Sequence, residues 1–126
     1  MADLDFFELL AALPWPAVMI DADGQITAAN SDAQDVIGKN IVGRNFMTMI
    51  RQPALLGAIE TALSEGTSQE VAYLVNNGGQ GASYRVTVRM LRDLNAVMVC
   101  FIDRTEMEQA GQMRRDFVAN VSHELR

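Results

Sequence analysis

Hydrophobic residues recur at intervals of three and four positions in three stretches of the chain, a spacing that brings side chains to one face of a helix. The three stretches are 4–13, 53–65 and 106–126. The first ends at Pro14, and its predicted apolar face consists of Leu4, Phe7, Leu10 and Ala11. The second begins at Pro53 and ends at the capping residue Gly66, and its predicted apolar face consists of Leu56, Ile59 and Leu63.

A second pattern, in which hydrophobic and polar residues alternate, predicts strands at 69–75 and 84–91. Two further apolar runs within residues 17–29 are joined by a turn that contains glycine, so this stretch is predicted to form a hairpin. Residues 96–102 are apolar at successive positions, which is typical of a central strand that is covered on both faces. The glycine-rich stretch 76–81 predicts a flexible hairpin loop.

The order of these elements is helix, two strands, short helices, three strands and a tail helix, which indicates the α+β class. A five-stranded antiparallel sheet with the helices on one face is the economical arrangement of this order. Asn30 precedes a short apolar segment and is predicted to cap a helix there. Residues 39–50 are apolar without a clear period, so we expect irregular turns that cover a pocket.

The tail contains the only histidine of the chain, His123. On a helix, the residues that form the apolar stripe of this segment lie opposite His123, whose side chain is therefore predicted to face solvent. Such a stripe suits a parallel two-helix coil with a seam formed by Met107, Ala110, Met113, Phe117, Val121 and Leu125. We therefore expect a homodimer through this helix, to which the stripe at Phe7 and Leu10 of the N-terminal helix adds.

Residues 117–126, FVANVSHELR, resemble the phosphoacceptor box of sensor histidine kinases. The resemblance implies that His123 is the phosphoacceptor and Glu124 the neighbouring acid/base, on the first helix of a dimeric four-helix bundle. The residue types suit this chemistry, because a neutral imidazole nitrogen is a nucleophile near neutral pH and an adjacent carboxylate can take up its proton. The pattern alone leaves open a lone exposed histidine on a solvated helix.

The preceding part of the chain, roughly residues 10–105, resembles a PAS domain. The features that carry this resemblance are the strand at 16–21, Asp23 with Gly24, the Asn30 cap, Gly38, and Asp103, Arg104 and Thr105. PAS domains commonly end in such an Asp-x-Thr motif and continue into a C-terminal signalling helix. The resemblance therefore implies a PAS fold in which Asp103, Arg104 and Thr105 relay a signal from the sheet to the tail helix.

The two resemblances together imply a division of the chain. Residues 1–105 are expected to form a PAS sensor domain with the cap helix 4–13, and residues 106–126 a signalling helix and the truncated start of the phosphoacceptor domain. Residues 50–55, IRQPAL, and residues 114–126 also resemble phosphate-regulon sensor kinases of bacteria. By this resemblance, ATP and Mg are bound by a catalytic domain outside the chain, and a response regulator receives the phosphoryl group. The chain by itself is expected to be inactive as a kinase.

The net charge limits the classes of partner that the chain can bind, and the cysteine content indicates the cellular compartment. The net charge is −6, and residues 1–103 carry six basic and twelve acidic side chains, which argues against a nucleic-acid partner. The single cysteine, Cys100, cannot form a disulfide within the chain, which favours a reducing cytoplasmic setting. No run is long and apolar enough to span a membrane, and the complete protein is expected to have a membrane anchor upstream of residue 1.

The sequence disfavours the usual cofactors of such domains. Haem needs an axial ligand, and residues 1–122 contain no histidine, while a flavin adduct needs a reactive cysteine in a helical motif and Cys100 is on a predicted strand. No phosphate-binding loop, dinucleotide fingerprint or metal cluster is visible. The expected pocket under residues 39–50 remains a candidate site for a small ligand of unknown identity.

Three functions are compatible with these observations. The favoured one is a cytoplasmic sensory and dimerisation module that controls phosphorylation of His123. A stand-alone phosphotransfer protein would use the same histidine, but such proteins are helical bundles and the predicted strands argue against it. A dimerisation scaffold without a ligand differs from the first only in whether the pocket is occupied.

Overall fold

The computed structural model describes residues 6–77 and 80–124, which form a five-stranded sheet and five α-helices. In chain order, the elements are α1 (Phe6–Ala11), β1 (Ala17–Asp21), β2 (Ile26–Ala29), α2 (Ser31–Val36), α3 (Phe46–Met49), α4 (Pro53–Glu65), β3 (Gln69–Asn77), β4 (Gln80–Leu91), a short 3-10 turn (Arg92–Leu94), β5 (Ala96–Asp103) and α5 (Thr105–Glu124). The predicted α+β class is confirmed.

The strands lie in the order β2-β1-β5-β4-β3, and every neighbouring pair is antiparallel. β5 is therefore the central strand, and it pairs through Val99 with Val18 of β1 and Val88 of β4. Val97, Val99 and Phe101 are fully buried on one face of β5. On the other face, Met98 and Cys100 are partly buried against a second cluster. The prediction of a central strand covered on both faces is confirmed.

Hydrophobic side chains pack on both faces of the sheet, because successive residues of a strand point to opposite faces. In β1, Val18 and Ile20 belong to the main cluster, which includes the buried residues of α2, α3 and α4. Ala17 and Met19 belong to the second cluster, which includes Leu10 of α1. The expected placement of helices on one face thus holds for α2–α4, whereas α1 lies on the opposite face.

The apolar face of α1 differs from the predicted one. Leu10 is buried as expected, but Phe6 and Leu13 pack beside it, while Phe7 is 52% exposed. Ala11 is also exposed, and Leu4 lies outside the described residues. The prediction was wrong at Phe7 because a helix of six residues is too short to define its face by periodicity.

Helix α4 begins and ends where the sequence predicted, with Pro53 in its first turn and Gly66 in the left-handed conformation at φ +70°. Its buried face is formed by Leu55, Ala58, Ile59 and Ala62. The predicted residues Leu56 and Leu63 are only partly buried, at the edge of the main cluster. The two alanines explain this shift, since small side chains let the helix approach the sheet closely.

Residues 39–50 contain the short helix α3, which is capped by the Asn45 side chain through a 2.9 Å hydrogen bond from the Met47 N–H. Ile41, Phe46 and Ile50 are buried in the main cluster. These side chains therefore belong to the packed core, although they come from the segment that was predicted to cover a pocket. Shallower space lies at the surface, in a cleft of about 520 Å³ that includes Met47.

Two glycine-containing stretches were predicted to be turns or loops, and the structure agrees with the prediction in only one of them. The turn between β1 and β2 contains Gly24 at φ +87°, where an added Cβ would lie 3.1 Å from Phe46 Cε1, so any other residue would be strained there. The predicted loop at 76–81 is mostly strand, because Asn76 pairs with Gly81 and Asn77 with Gln80. Only residues 78 and 79, which are outside the described residues, separate β3 from β4.

Candidate functional site

The predicted phosphoacceptor residues lie at the end of the longest helix. α5 runs without interruption from Thr105 to Glu124, so His123 and Glu124 are helical as expected. The positions of their side chains, and residues 125 and 126 altogether, lie outside what the structure describes. The orientation of the His123 side chain towards solvent therefore stays a prediction.

The predicted relay residues join α5 to the sheet through the backbone of a single residue, Ser83 of β4. The Arg104 N–H donates to the Ser83 carbonyl oxygen at 2.8 Å, and the Ser83 N–H donates to Thr105 Oγ1 at 2.9 Å. Ser83 is buried, with 9% of its surface exposed. The N–H and the carbonyl oxygen of Ser83 are thus both hydrogen-bonded to residues 104–105, which connect β5 to α5. These two bonds hold the first turn of α5 against β4.

Asp103 caps the helix that follows it. Its Oδ1 accepts a 2.9 Å hydrogen bond from the Thr105 N–H, one of the donors at the start of α5 that have no partner within the helix. This bond, and a second one from the Thr105 hydroxyl, hold the pKa of Asp103 below its ordinary value of 3.8. The hydroxyl therefore connects the Asp103 carboxylate to the Ser83 N–H, which makes Thr105 the centre of the junction.

The lowered pKa of Asp103 predicts a small acid dependence of the start of α5. A carboxyl whose pKa is lower in the folded state contributes stability above its unfolded pKa, and this contribution is lost as the pH falls through the folded value. We expect the helical signal in far-ultraviolet circular dichroism to fall as the pH drops below 3.8, the ordinary pKa of this carboxyl. Asp103→Asn keeps a capping oxygen but cannot titrate, so the fall should be smaller in that variant. Equal acid profiles for the two proteins would contradict this assignment.

Aromatic side chains lie beneath the junction on the core face of the sheet. Tyr84 is opposite Asp103 in the pairing of β4 with β5. Its ring meets that of Phe101 edge to face with centroids 6.2 Å apart, and the Tyr73 ring meets Phe101 in the same way at 5.5 Å. Burial raises the pKa of the Tyr84 hydroxyl, and the nearby Asp103 carboxylate adds to the effect. The base of α5 therefore lies beside a group of aromatic rings that pack against one another.

Sequence reasoning missed Ser83 and Tyr84 as members of this site. Both lie on β4, about twenty positions before the motif to which they bind. The available signal was Tyr84, at the start of the predicted alternating strand 84–91. A pairing register between 84–91 and 96–102 would have placed this tyrosine next to Asp103.

The Arg104 side chain extends into a cleft of about 390 Å³ next to the junction, which is lined by Glu70, Val71, Ala72, Tyr84 and Arg85 as well. Arg85 forms an ion pair with Glu70 across β3 and β4. Among the described residues, Arg104 Nε is one of two buried side-chain atoms without a hydrogen-bond partner. The backbone N–H of Arg104 thus takes part in the junction, whereas its Nε has no hydrogen-bond partner among the described residues.

Beyond its first turn, α5 carries an uncovered apolar stripe. Met113 is 72% exposed, Phe117 68% and Val121 37%. These are three members of the predicted seam, and Ala110 is exposed as well. The side chains of the other two members, Met107 and Leu125, lie outside the described residues. The described part of the seam therefore has no cover within this chain.

The described residues contain no group of three or more histidine, cysteine, aspartate or glutamate side chains that could hold a metal ion. Within the same residues, no helix is both long enough and apolar enough to cross a membrane. Cys100 is a free thiol, and burial raises its pKa despite the opposing effect of Arg89.

Two proteins with similar sequences are sensor kinases. The sensor-like histidine kinase SenX3 of Mycolicibacterium smegmatis is 29% identical over 115 residues, which cover 90% of this chain and 29% of SenX3. The phosphate regulon sensor protein PhoR of Pseudomonas aeruginosa is 28% identical over 122 residues, which cover 94% of this chain and 26% of PhoR. The chain thus spans less than a third of the length of either relative. The predicted resemblance of the chain to sensor histidine kinases is confirmed at this low identity, while the assignment of residues 117–126 as a phosphoacceptor box stays a prediction.

The fold is also found in a solved structure and in a family match. The PAS domain of BvgS from Bordetella pertussis superposes with a TM-score of 0.58 at 17% identity, over 92% of each chain. Residues 10–109 match the family described as the PAS fold. This match covers most of the chain and coincides with the observed sheet and its helices, and the chain therefore belongs to the PAS family.

Proposed function

We propose that this chain is the sensory and dimerisation module of a two-component sensor histidine kinase, in which the sheet controls the position of His123. The observation that carries the proposal is the junction at Thr105. There, a helix tied to β4 by two hydrogen bonds begins, and it continues to the predicted phosphoacceptor. Residues 1–105 act as the PAS sensor, and residues 106–126 as the signalling helix and the start of the phosphoacceptor domain.

The relay works through the contacts of the junction. Thr105 binds both Asp103 and Ser83, so a change in the pairing of β4 with β5 alters the direction in which α5 leaves the sheet. Packed side chains such as Phe101 and Tyr84 transmit the change because a close-packed core does not deform continuously. The signal therefore reaches α5 as a change of angle or rotation.

The chemistry at the end of α5 uses two neighbouring residues. A neutral nitrogen of His123 attacks the γ-phosphorus of ATP bound to a separate catalytic domain, the bond to the leaving ADP breaks, and a nitrogen–phosphorus bond forms. Glu124 takes up the proton that His123 loses. The phosphoryl group then passes to a carboxylate of a response regulator. This assignment rests on the resemblance of residues 117–126 to the phosphoacceptor box.

The exposed stripe of α5 supports a parallel homodimer. Isolated helices are marginal in water, and an apolar stripe that the chain leaves exposed is stabilised when a second copy covers it. α1 adds apolar surface through Phe7 and Leu9, which are 52% and 51% exposed. The buried Leu10, by contrast, belongs to the monomer core and takes no part in this interface. Parallel pairing lets both copies of α5 turn together.

The remaining parts of the proposed kinase are outside this chain. They are the ATP-binding domain with its Mg, and a membrane anchor upstream of residue 1, while the chain itself works in the cytoplasm. The likeness to PhoR supports a role in the phosphate regulon, although SenX3 is as similar. The acidic net charge gives no support to a nucleic-acid partner.

A ligand-free version of the same function is favoured by one observation. Ile41, Phe46 and Ile50, which come from the segment predicted to cover a pocket, are buried in the main cluster. Without a resident ligand, the domain would transmit a change that arises upstream, through α1, or between the two copies. We propose that haem and flavin are not bound, for the reasons of ligand chemistry given by the sequence. The stand-alone phosphotransfer protein is disfavoured, because the chain contains a five-stranded sheet.

Incubation with ATP and Mg tests the proposed division of labour. The chain alone should acquire no acid-labile phosphate, since the proposal assigns ATP binding to a separate domain. Addition of a catalytic domain from a similar sensor kinase should label the native chain but not His123→Ala. Labelling of the chain by itself would contradict the division, and equal labelling of both proteins would contradict the assignment of His123.

A further inference from the structure

The Asn30 carboxamide is buried where three segments of the chain meet, with 6% of the residue exposed. Its Nδ2 donates to the Leu10 carbonyl oxygen at 2.9 Å and to the Trp15 carbonyl oxygen at 2.8 Å. Its Oδ1 accepts from the Ala17 N–H at 3.0 Å and from the Ala33 N–H at 2.9 Å. An amide offers two donors and two lone pairs on its oxygen, so the side chain is fully used.

These four hydrogen bonds divide into two functional halves. The oxygen holds the start of β1 and the first turn of α2, which are parts of the PAS core. The nitrogen holds Leu10, at the end of α1, and Trp15, in the connection to β1. The same side chain therefore caps a core helix and binds the N-terminal segment to that core.

Helix α1 depends on contacts of this kind to stay in place. It has six residues, too few for an independently stable helix. Its apolar contribution to the second cluster is centred on Leu10, with Phe6 and Leu13 partly buried beside it. The cluster beneath it is small and lies on the open face of the sheet, so α1 can separate from it without opening the main core.

We propose that the Asn30 carboxamide is a latch that holds α1 on the sheet, and that release of this latch lets α1 leave while the rest of the domain stays folded. This role goes beyond the proposed function, because it gives α1, at the N-terminal end of the domain, two positions: docked on the sheet and released from it. Its test requires no kinase activity.

Asn30 binds β1, and β1 is paired with β5, the strand that leads into α5. Ala17, whose N–H is bound by Asn30 Oδ1, pairs with Cys100 of β5. Cys100 and Met98 pack against the cluster that α1 covers, and β5 ends three residues later at Asp103. Release of α1 thus removes packing from one face of β5, close to the point where β5 joins α5. Because α1 can be either docked or released, it provides a physical means of coupling the N-terminal segment to α5.

The chain contains its own reporters of the latch. Cys100 is the only cysteine and Trp15 the only tryptophan. Departure of α1 should expose the Cys100 thiol to a thiol reagent and change the environment of Trp15. Because burial raises the pKa of Cys100, exposure should also increase its thiolate fraction and thus its rate of reaction.

Asn30→Asp is the sharpest variant, because it replaces only the donating half of the side chain. The oxygen bonds to Ala17 and Ala33 remain, while a carboxylate oxygen faces the carbonyl groups of Leu10 and Trp15. Asn45→Asp is the matched control, since it makes the same change at another helix cap, whose side-chain oxygen binds Met47 and not α1. We expect Asn30→Asp to raise the Cys100 labelling rate at least tenfold with a shift in Trp15 fluorescence, and Asn45→Asp to leave both near native values.

An unchanged labelling rate in folded Asn30→Asp, or an equal rise in Asn45→Asp, would overturn the proposal. The unaltered protein supplies a second test that does not depend on how well the variant folds. Its Cys100 should be labelled through a partial opening whose rate depends only weakly on denaturant. Labelling of native Cys100 solely through global unfolding, with the full denaturant dependence, would show that α1 does not leave separately.

Discussion

Thr105→Val is expected to detach the first turn of α5 from the sheet while the sheet itself stays folded. Valine has nearly the shape of threonine but no hydroxyl, so the buried Ser83 N–H loses its acceptor and Asp103 loses a donor. A buried donor that is left without a partner costs about 1–3 kcal/mol. We expect the free energy of unfolding, measured by chemical denaturation, to fall by that amount, with increased hydrogen exchange in the first turns of α5.

Thr105→Ser provides the control, because it keeps the hydroxyl and removes only a methyl group. It should restore protection of the Ser83 amide and most of the stability. A Thr105→Val protein whose stability lies within about 0.5 kcal/mol of the native value, the usual range for a neutral surface change, would show that the junction does not hold α5. In the proposed kinase, the same variant should leave His123 phosphorylation unresponsive to changes in the PAS domain.

Phe117→Asp and Val121→Asp are each expected to weaken dimerisation by about 100-fold or more. Burial of a Phe or Val side chain is worth about 1.5–3 kcal/mol, and a symmetric dimer loses this contribution twice. Each variant also places two carboxylates in an apolar seam, where an unpaired charge is costly. Sedimentation equilibrium over a range of concentrations measures the change in dimer dissociation constant directly.

Two further variants separate the seam from general effects on the helix. Ala119→Asp adds the same charge at an exposed position of α5 on the far side from Phe117, so it should leave the dimer nearly unchanged. His123→Ala should also dimerise normally, because His123 is predicted to lie off the seam. An intact dimer in both seam variants, or a monomer in His123→Ala, would mean that the two copies meet elsewhere.

The strands of this domain could be predicted because their alternation reflects burial on one face. Val86 and Val88 of β4 are fully buried, whereas Arg85 and Arg89, which flank this pair, are exposed. The apolar run of β5 was equally informative, since only a central strand needs cover on both faces. A strand is therefore predictable from the local sequence where its hydrophobic pattern matches its burial over six or more residues.

The errors occurred where tertiary contacts outweigh the local pattern. The stretch 76–81 contains three glycines and two asparagines, yet backbone pairing extends β3 and β4 through most of it, because ladder hydrogen bonds do not require particular side chains. The face of α1 was misplaced because it is set by the position of Leu10 on the outer face of the sheet. The latter contact depends on Asn30, twenty residues away, and no local signal reveals it.

The candidate site was predictable in its residues but not in its connections. Asp103 and Thr105 were recognised from their motif, and the cap they form could be expected from residue type. Ser83, however, joins the site only through its backbone, which every residue possesses. Only the pairing register of β4 with β5 brings it there, and that register is a property of the whole sheet.

The direct passage from β5 to α5 makes the tail helix a lever. Arg104 alone separates the last residue of the strand from the first residue of the helix, so no slack linker absorbs motion between them. Twenty helical residues span about 30 Å, and a tilt of roughly 5° at Thr105 would therefore carry the far end sideways by about 2.6 Å. A misplacement of about 1 Å can slow a reaction a hundredfold. A rearrangement at Thr105 too small to break one hydrogen bond would therefore be enough to switch the phosphoryl transfer that we propose for His123.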